Sequence, residues 1–423
     1  MIDLKRESLE EQGHLSALRR EFHRHPELGL HEYRTASRIE EELDRIGIPH
    51  TRVGETGVLG ILAGADGGNG AVALRADIDA LPIQETHETE YTSTAPGIMH
   101  ACGHDAHAAS LLGAARLLAK HREQMPGEVR FIFQPAEEIG QGAKPFIEAG
   151  ALDGVDRIFG LHTAYDLPVG TVGLKPGLNN AAVDHFSIQI KGKAAHVSTP
   201  QLGADALYIA SQLVVGLQAI ATRRTSPVDP VVIGIGKLAA GTAYNAVAES
   251  ALLEGTTRTV SQEQRYRLRE LIDQAAKATA AIYGGTASIT WTDFTPPLIN
   301  DPRACSEAAA IATDLGAAVV ADRALSLSGD NFAEYQLYVP GAYAYVGTGN
   351  PNLSNTTVTN HNGDFDIDEA ALPLGAALLA AYAIETLQKL APSHQRSYKC
   401  PPTTLSNPPL STAASAATPS PDR

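Results

Sequence analysis

The 423-residue sequence predicts an α/β protein. It reads as a largely parallel sheet layered with helices, interrupted once by a smaller unit of β-α-β-β-α-β order. Two observations carry this reading. Short apolar runs of strand character alternate with longer segments of helical spacing, the pattern of βαβ units. Near Asp184 the pattern changes to strict alternation, with Phe186, Ile188 and Ile190 on one face of a half-exposed strand.

In chain order, Leu15, Leu18 and Phe22 follow helical spacing, with Pro26 soon after. Ala36, Ile39, Leu43 and Ile46 mark a second amphipathic helix. Val58 to Ala63 and Ala71 to Ala76 read as strands, Ala108 to Lys120 as a helix, and Glu128 to Gln134 and Arg157 to Leu161 as strands. The second unit opens with the Phe186 strand, followed by a helix over Ala204 to Thr222 and strands Val231 to Gly236 and Val247 to Arg258. A helix over Gln262 to Ile282 and a strand over Ala287 to Trp291 complete it. That order is the ferredoxin-like signature. The first domain resumes after Pro296 with a strand over Ala342 to Val346 and a closing helix over Glu369 to Leu390. The expected boundaries are therefore 1–183 and 296–390 for the large domain and 184–295 for the insert. Residues 391–423, rich in Pro, Ser and Thr, are expected to be disordered.

Lys and Arg number 33 against 48 Asp and Glu, a net charge of −15 that argues against nucleic acid and anionic membrane as partners. The cysteines are Cys102, Cys305 and Cys400. An odd, sparse count is no disulfide framework and fits a reducing compartment, so a cytoplasmic location is expected. Met1 to Gln12 is charged and lacks an apolar signal core. The most apolar stretch, Ala370 to Ile384, is short and rich in Ala and Gly, and reads as a buried helix.

The chemistry centres on Met99-His100-Ala101-Cys102-Gly103-His104-Asp105-Ala106-His107. One thiol, three imidazoles and one carboxylate fall within nine residues, the donor types that bind zinc and similar divalent ions. Asp105 stands where a helix N-cap is expected. Four other stretches offer partners. Leu74 to Pro82 places Asp77 and Asp79 at a predicted strand end. Glu137 and Glu138 follow the apolar strand ending at Gln134. His162 closes the strand Gly160-Leu161, and His361 opens His361-Asn362-Gly363-Asp364. Adjacent carboxylates suit a division of labour, one coordinating a cation and the other acting as general base on bound water. Each carboxylate stretch alone is equally compatible with an ordinary polar turn, and a lone His is usually a surface or core residue with no special role; the coincidence of five candidate ligands, Cys102, His104, Glu138, His162 and His361, points to a metal centre.

The motifs RREFHRHPELGLHEYRTA, LRADIDALPIQE, MHACGHDAHAASLLGAA, FIFQPAEE, GLHT, GKAAHVSTP, GTAYNAV, GTTR and HNGDFDIDE occur in this order between about Leu18 and Leu390. With them the chain resembles the di-metal amidohydrolases of the aminoacylase and carboxypeptidase-G superfamily. Within that superfamily it is most similar to the branch of hippuricase and the indole-acetyl-amino-acid hydrolases.

The resemblance implies a zinc-peptidase-like catalytic domain with the ferredoxin-like unit as lid and dimerisation element. It implies two divalent ions per subunit (Zn, Mn, Co or Ni) held by Cys102, His104, Glu138, His162 and His361. Glu137 would be the general base and Asp79 would orient or tune the metal site. His196 would stabilise the oxyanion, across a homodimer. Asn245 and Arg258 would contact the substrate carbonyl or carboxylate. The implied reaction is attack of metal-bound hydroxide on the amide of an N-acyl amino acid. The rivals are a dipeptidase or carboxypeptidase using the same machinery, and a non-catalytic metal-binding assembly protein. Two departures from the branch stand near the expected substrate cleft. The usual Glu-Asp-Phe reads Gly329-Asp330-Asn331-Phe332, and the usual Gly-Gly-His reads Ala194-Ala195-His196.

Overall fold

The computed structural model describes residues 2–64 and 70–390. The chain begins with α1 (Leu4–Glu10), α2 (Gln12–Arg24) and α3 (Tyr33–Arg45), then β1 (His50–Val53), β2 (Gly57–Ala63) and β3 (Ala71–Asp77). There follow α4 (His104–Lys120), β4 (Glu128–Gln134), α5 (Ala143–Glu148), β5 (Arg157–Pro168), β6 (Thr171–Gly173) and β7 (Gly177–Asn180). Next come β8 (Ala182–Lys191), α6 (Ala206–Ala219), β9 (Val232–Ala240), β10 (Ser250–Thr259), α7 (Gln262–Ile282) and β11 (Thr286–Thr295). The chain closes with β12 (Leu298–Asn300), α8 (Pro302–Asp314), β13 (Ala318–Val320), α9 (Phe332–Gln336), β14 (Gly341–Gly349) and α10 (Leu372–Leu390).

An eight-stranded sheet in the order β1-β2-β4-β3-β5-β14-β6-β13 forms the larger layer. Its centre, β4-β3-β5-β14, is parallel. Every residue of β3 is buried, as expected for a strand covered on both faces. Alternate residues of the central strands feed two cores. Val72, Leu74, Phe131 and Phe133 face α4 and α10, while Ala73, Ile132 and Ile158 face Phe146 of α5 and Phe332 of α9. The small residues of α4 allow close helix packing. A Cβ on Gly113 would lie 2.6 Å from Leu15 and 2.9 Å from Ala376. The helix spanning Glu369–Leu390 is long and apolar enough to cross a membrane, yet 83% of its apolar window is buried within the protein. The most apolar stretch of the sequence is thus a core helix, as expected.

The elements β8, α6, β9, β10, α7 and β11 form a second sheet, antiparallel, in the order β11-β8-β10-β9. One face carries Phe186, Ile188, Ile190 and Leu253 against Leu213 of α6 and Ile272 of α7. The opposite face presents His185 and Thr256, paired across β8 and β10, and Arg258 one pleat further along.

Two local expectations are corrected. Asp105 is not the N-cap of α4. The helix starts at His104 and its cap is Gly103, with φ +86° and no side-chain cap bond, while Asp105 is buried in the first turn against Arg19 and His23. His162 does not close its strand either, since β5 continues to Pro168 by pairing with β14 beyond the point where β3 leaves it. The expected disorder of 391–423, and Cys400 with it, lies outside the described residues.

Candidate active site

The parallel centre of the sheet sends its chain crossings out at one end, where loops of such sheets gather ligand-binding groups. Asp79 follows β3, and Glu137 and Glu138 follow β4. Cys102 and His104 flank Gly103, whose left-handed φ puts thiol and imidazole on one short turn. A Cβ there would lie 2.4 Å from Thr163 Oγ1, so glycine is required twice over. His361 itself has φ +61°, held by its backbone N–H donating to Ala101 O at 2.8 Å. Such strain in a non-glycine residue marks a position fixed by its surroundings.

The five candidate ligands converge. Ligand atoms of Cys102, His104 and His162 lie within 4.8 Å of one another, and so do those of Cys102, Glu138 and His361. The two groups share Cys102 and abut through Glu138, whose Oε1 is 3.8 Å from His104 Nε2 and 3.3 Å from His361 Nε2. Both His104 Nε2 and Glu138 Oε1 are buried without a hydrogen-bond partner. Leaving such atoms unpaired is costly, and a cation between them removes the cost. The opposite nitrogens are committed elsewhere. His104 Nδ1 meets Asp79 O at 2.9 Å and Asp79 Oδ1 at 3.2 Å, and His162 Nδ1 meets Thr163 O at 2.7 Å. That is the outer support expected of metal-bound imidazoles.

Titration preferences agree with a cation site. Burial, then His107, holds His162 well below the usual imidazole value, so the ring is neutral and able to ligate. The close approach of the Cys102 thiol and of the Glu138 carboxylate, 3.3 Å away, pushes His361 up to about 10, a positive charge drawn into an anionic cluster. Asp77, His104 and His107 form a further close group. His107 is not available as a ligand, because Nδ1 meets Asp77 Oδ1 at 2.5 Å and Nε2 accepts the Thr163 N–H at 2.9 Å.

Glu137 lies beside Glu138 but in a different setting. Its Oε1 accepts the Asn331 N–H at 3.1 Å. Burial first, and then the Asp330 and Glu138 carboxylates, push its pKa well above the ordinary carboxylate range. A carboxylate raised in this way is a stronger proton acceptor.

Cys102, Glu137, Glu138, His162 and His361 line one wall of a cavity of about 730 Å³ that also takes in His185, Thr256 and Arg258 of the second sheet. Arg258 is half-buried and burial lowers its pKa; its one acceptor among the described residues is Thr257 O at 3.3 Å. The guanidinium faces the cavity with most of its donors free. His196 and Asn245 are elsewhere. Both are exposed at one tip of the inserted unit, where Val197 N–H donates to Asn245 O at 3.2 Å, and neither lines the cavity. Sequence reasoning noticed Asp77 and His107 without assigning them. It gave Arg75 no role and treated Asp330-Asn331 only as a departure; the alternation of a charged residue within the apolar run of β3 was the available signal.

Residues 73–385 match the sequence profile of Peptidase family M20/M25/M40. N-acetylcysteine deacetylase of Bacillus subtilis (strain 168) is 40% identical over 378 residues, 88% of this chain and 97% of that protein. An IAA-amino acid hydrolase of Arabidopsis thaliana, ILR1-like 4, is 37% identical over 382 residues, 89% of this chain and 86% of its own. Among solved structures, the Bacillus subtilis YXEP protein, a dinuclear metal binding peptidase from M20 family, superposes with a TM-score of 0.77 at 38% identity. That match covers 89% of this chain and 98% of the other.

Proposed function

This chain belongs to Peptidase family M20/M25/M40 and is a metallo-amidohydrolase, and we propose that it cleaves the amide bond of N-acyl amino acids. The observation that carries the substrate class is the pairing, across one cavity, of the metal-ligand cluster with the uncommitted guanidinium of Arg258.

Two divalent ions, of zinc, manganese, cobalt or nickel, would be held by Cys102, His104, Glu138, His162 and His361, and supply Lewis acidity and a lowered pKa for water. The chain's own residues do the rest. Asp79 orients His104 and the Glu138 backbone together. Arg258 takes the substrate carboxylate through charge-assisted hydrogen bonds and so sets the amide against the cluster. Glu137, aimed by the Asn331 N–H, accepts a proton from water as its oxygen adds to the amide carbon. The C–N bond then breaks and the same proton passes to the leaving nitrogen, giving a carboxylic acid and a free amino acid.

In this reading the unit of β8 to β11 is a lid over the cavity and the site of homodimerisation. His196 and Asn245 then serve the site of the partner subunit, where His196 stabilises the oxyanion. The test is a panel of N-acetyl and N-benzoyl amino acids, dipeptides and carboxypeptidase substrates, offered to apoprotein reloaded with Zn²⁺, Mn²⁺, Co²⁺ or Ni²⁺. Metal-dependent release of free amino acid from the acyl conjugates is expected. Turnover confined to peptides would replace the reading with a peptidase, and no turnover with any metal would overturn it.

A further inference from the structure

Arg75 is fully buried in the middle of β3 and bonds to no part of the proposed metal cluster. Its strand lies between β4, whose end carries Glu137 and Glu138, and β5, which carries His162. Each arm of the guanidinium has its own acceptor. Nε donates to Gln134 Oε1 at 3.1 Å, one Nη to Asp77 Oδ2 at 2.6 Å, and the other Nη to Asn331 Oδ1 at 2.8 Å.

Those acceptors lead to different halves of the site. Asn331 donates its backbone N–H to Glu137 Oε1. Asp77 holds His107, and His107 holds the backbone of Thr163 beside His162, while Asp77 Oδ2 also stands 3.8 Å from His104 Nε2. Gln134 closes the ring by donating to Asn331 Oδ1 at 2.8 Å. The Asn331 amide keeps its oxygen toward these two donors although this leaves its Nδ2 buried and unpartnered. The geometry is therefore dictated from the Arg75 side. A buried ion pair contributes little to stability compared with well-packed apolar residues, so its presence here calls for another role.

We propose that Arg75 is a positioning residue that sets the general base in register with the metal ligands, through Asn331 on one side and through Asp77 and His107 on the other. The proposal rests on the functional reading above for its kinetic arm only. A planar fork with fixed arms can hold three acceptors at defined separations, and an ammonium cannot.

The test uses Arg75→Lys, Asn331→Leu and the double variant in the full chain. Metal content, the visible spectrum of the Co²⁺-loaded protein, kcat and KM are measured well below the melting temperature of each. Arg75→Lys keeps a cation for Asp77 and is expected to bind metal in wild-type amount with shifted cobalt bands. Its kcat should fall about 10–100-fold at little-changed KM. Asn331→Leu cuts the base side alone, so kcat falls while the cobalt spectrum stays wild-type. The double variant should lose no more than the worse single one, since both interrupt one path. Wild-type kcat in Asn331→Leu, an additive double variant, or an unshifted cobalt spectrum in Arg75→Lys would each overturn the proposal. If Arg75→Lys does not fold, the kcat of Asn331→Leu decides. If the wild-type protein hydrolyses no amide, the functional reading fails, and the cobalt spectrum of Arg75→Lys alone decides this proposal.

Discussion

The Asp79 carboxylate accepts the backbone N–H of Glu138 at 3.0 Å. Its second oxygen lies 3.2 Å from His104 Nδ1, so one side chain fastens the turn after β3, the turn after β4 and the start of α4. Loss of such an outer support weakens metal sites by about 10–100-fold. Asp79→Ala is therefore expected to weaken metal binding by about that factor, with the ligands themselves unchanged. Competition with a chelator of known affinity measures it. Wild-type affinity in the variant would show that His104 and Glu138 hold their places unaided.

The neighbours Glu137 and Glu138 should separate cleanly. Glu137→Gln keeps the volume and the Asn331 contact but cannot take a proton, so metal content should be normal and kcat reduced about 10²–10⁴-fold. Glu138→Gln should instead lower metal occupancy, because its Oε1 stands between His104 and His361. Metal analysis beside single-turnover kinetics distinguishes them, and the reverse pattern would exchange the two roles.

What the sequence made legible follows from where the signal is local. The five candidate ligands could be picked out because Cys102-Gly103-His104 and Glu137-Glu138 are contiguous, and because Glu137-Glu138 and His162 go with apolar strand runs. The full extent of β5 was not legible. Beyond Leu161 it is polar and its last residues, through Pro168, depend on pairing with β14, far away in sequence. The capping role of Gly103 was hidden because Asp105 has the right chemistry for an N-cap; only the buried Arg19 and His23 show why its carboxylate is used elsewhere. Short elements such as β6 and β13, which pair with each other over three residues, carry no periodicity to read.

Arg258 should govern substrate affinity. Charge-assisted hydrogen bonds contribute about 1.5–3 kcal/mol, so Arg258→Ala is expected to raise KM for an acyl amino acid about 10–100-fold with metal content unchanged. Acyl amines lacking the carboxylate should be turned over equally by both proteins. An unchanged KM would remove Arg258 from the substrate site.

Glu32 sets a pH dependence of stability. Its Oε1 accepts the N–H of Ala136, the residue before Glu137, at 2.8 Å. Burial first, and then the Asp79 charge, raise its pKa from 4.5 to about 7. The folded state therefore holds this proton more tightly than the unfolded chain. The contribution is fully present below pH 4.5 and is lost as pH rises through about 7. Glu32→Gln keeps an acceptor for Ala136 and removes the charge. It should stabilise the protein at pH 8 by about 2–3 kcal/mol, and progressively less toward pH 5. Urea unfolding at matched metal content measures this, and an equal gain at both pH values would rule out the titration as its source.

The tip that carries His196 and Asn245 bears on assembly. His196 was expected to serve the partner subunit's site and Asn245 to contact the substrate; within one chain both stand together outside the cavity, exposed and joined through the Val197 to Asn245 bond. His196 Nδ1 is occupied by Ser198, at 3.2 Å from its N–H and 2.7 Å from its hydroxyl. A two-fold axis through the inserted unit would carry this tip of one subunit to the cavity of its twin, and the exchange would be mutual. His196→Ala and Glu137→Gln should then each be nearly inactive alone. In a mixed dimer, one site has both defects and the other has neither. Random exchange places about half of the molecules in that form, so about a quarter of wild-type activity per site should return on mixing. Mass spectrometry of the intact mixture establishes that exchange has occurred. Exchange without recovered activity would mean that His196 acts within its own chain or not at all.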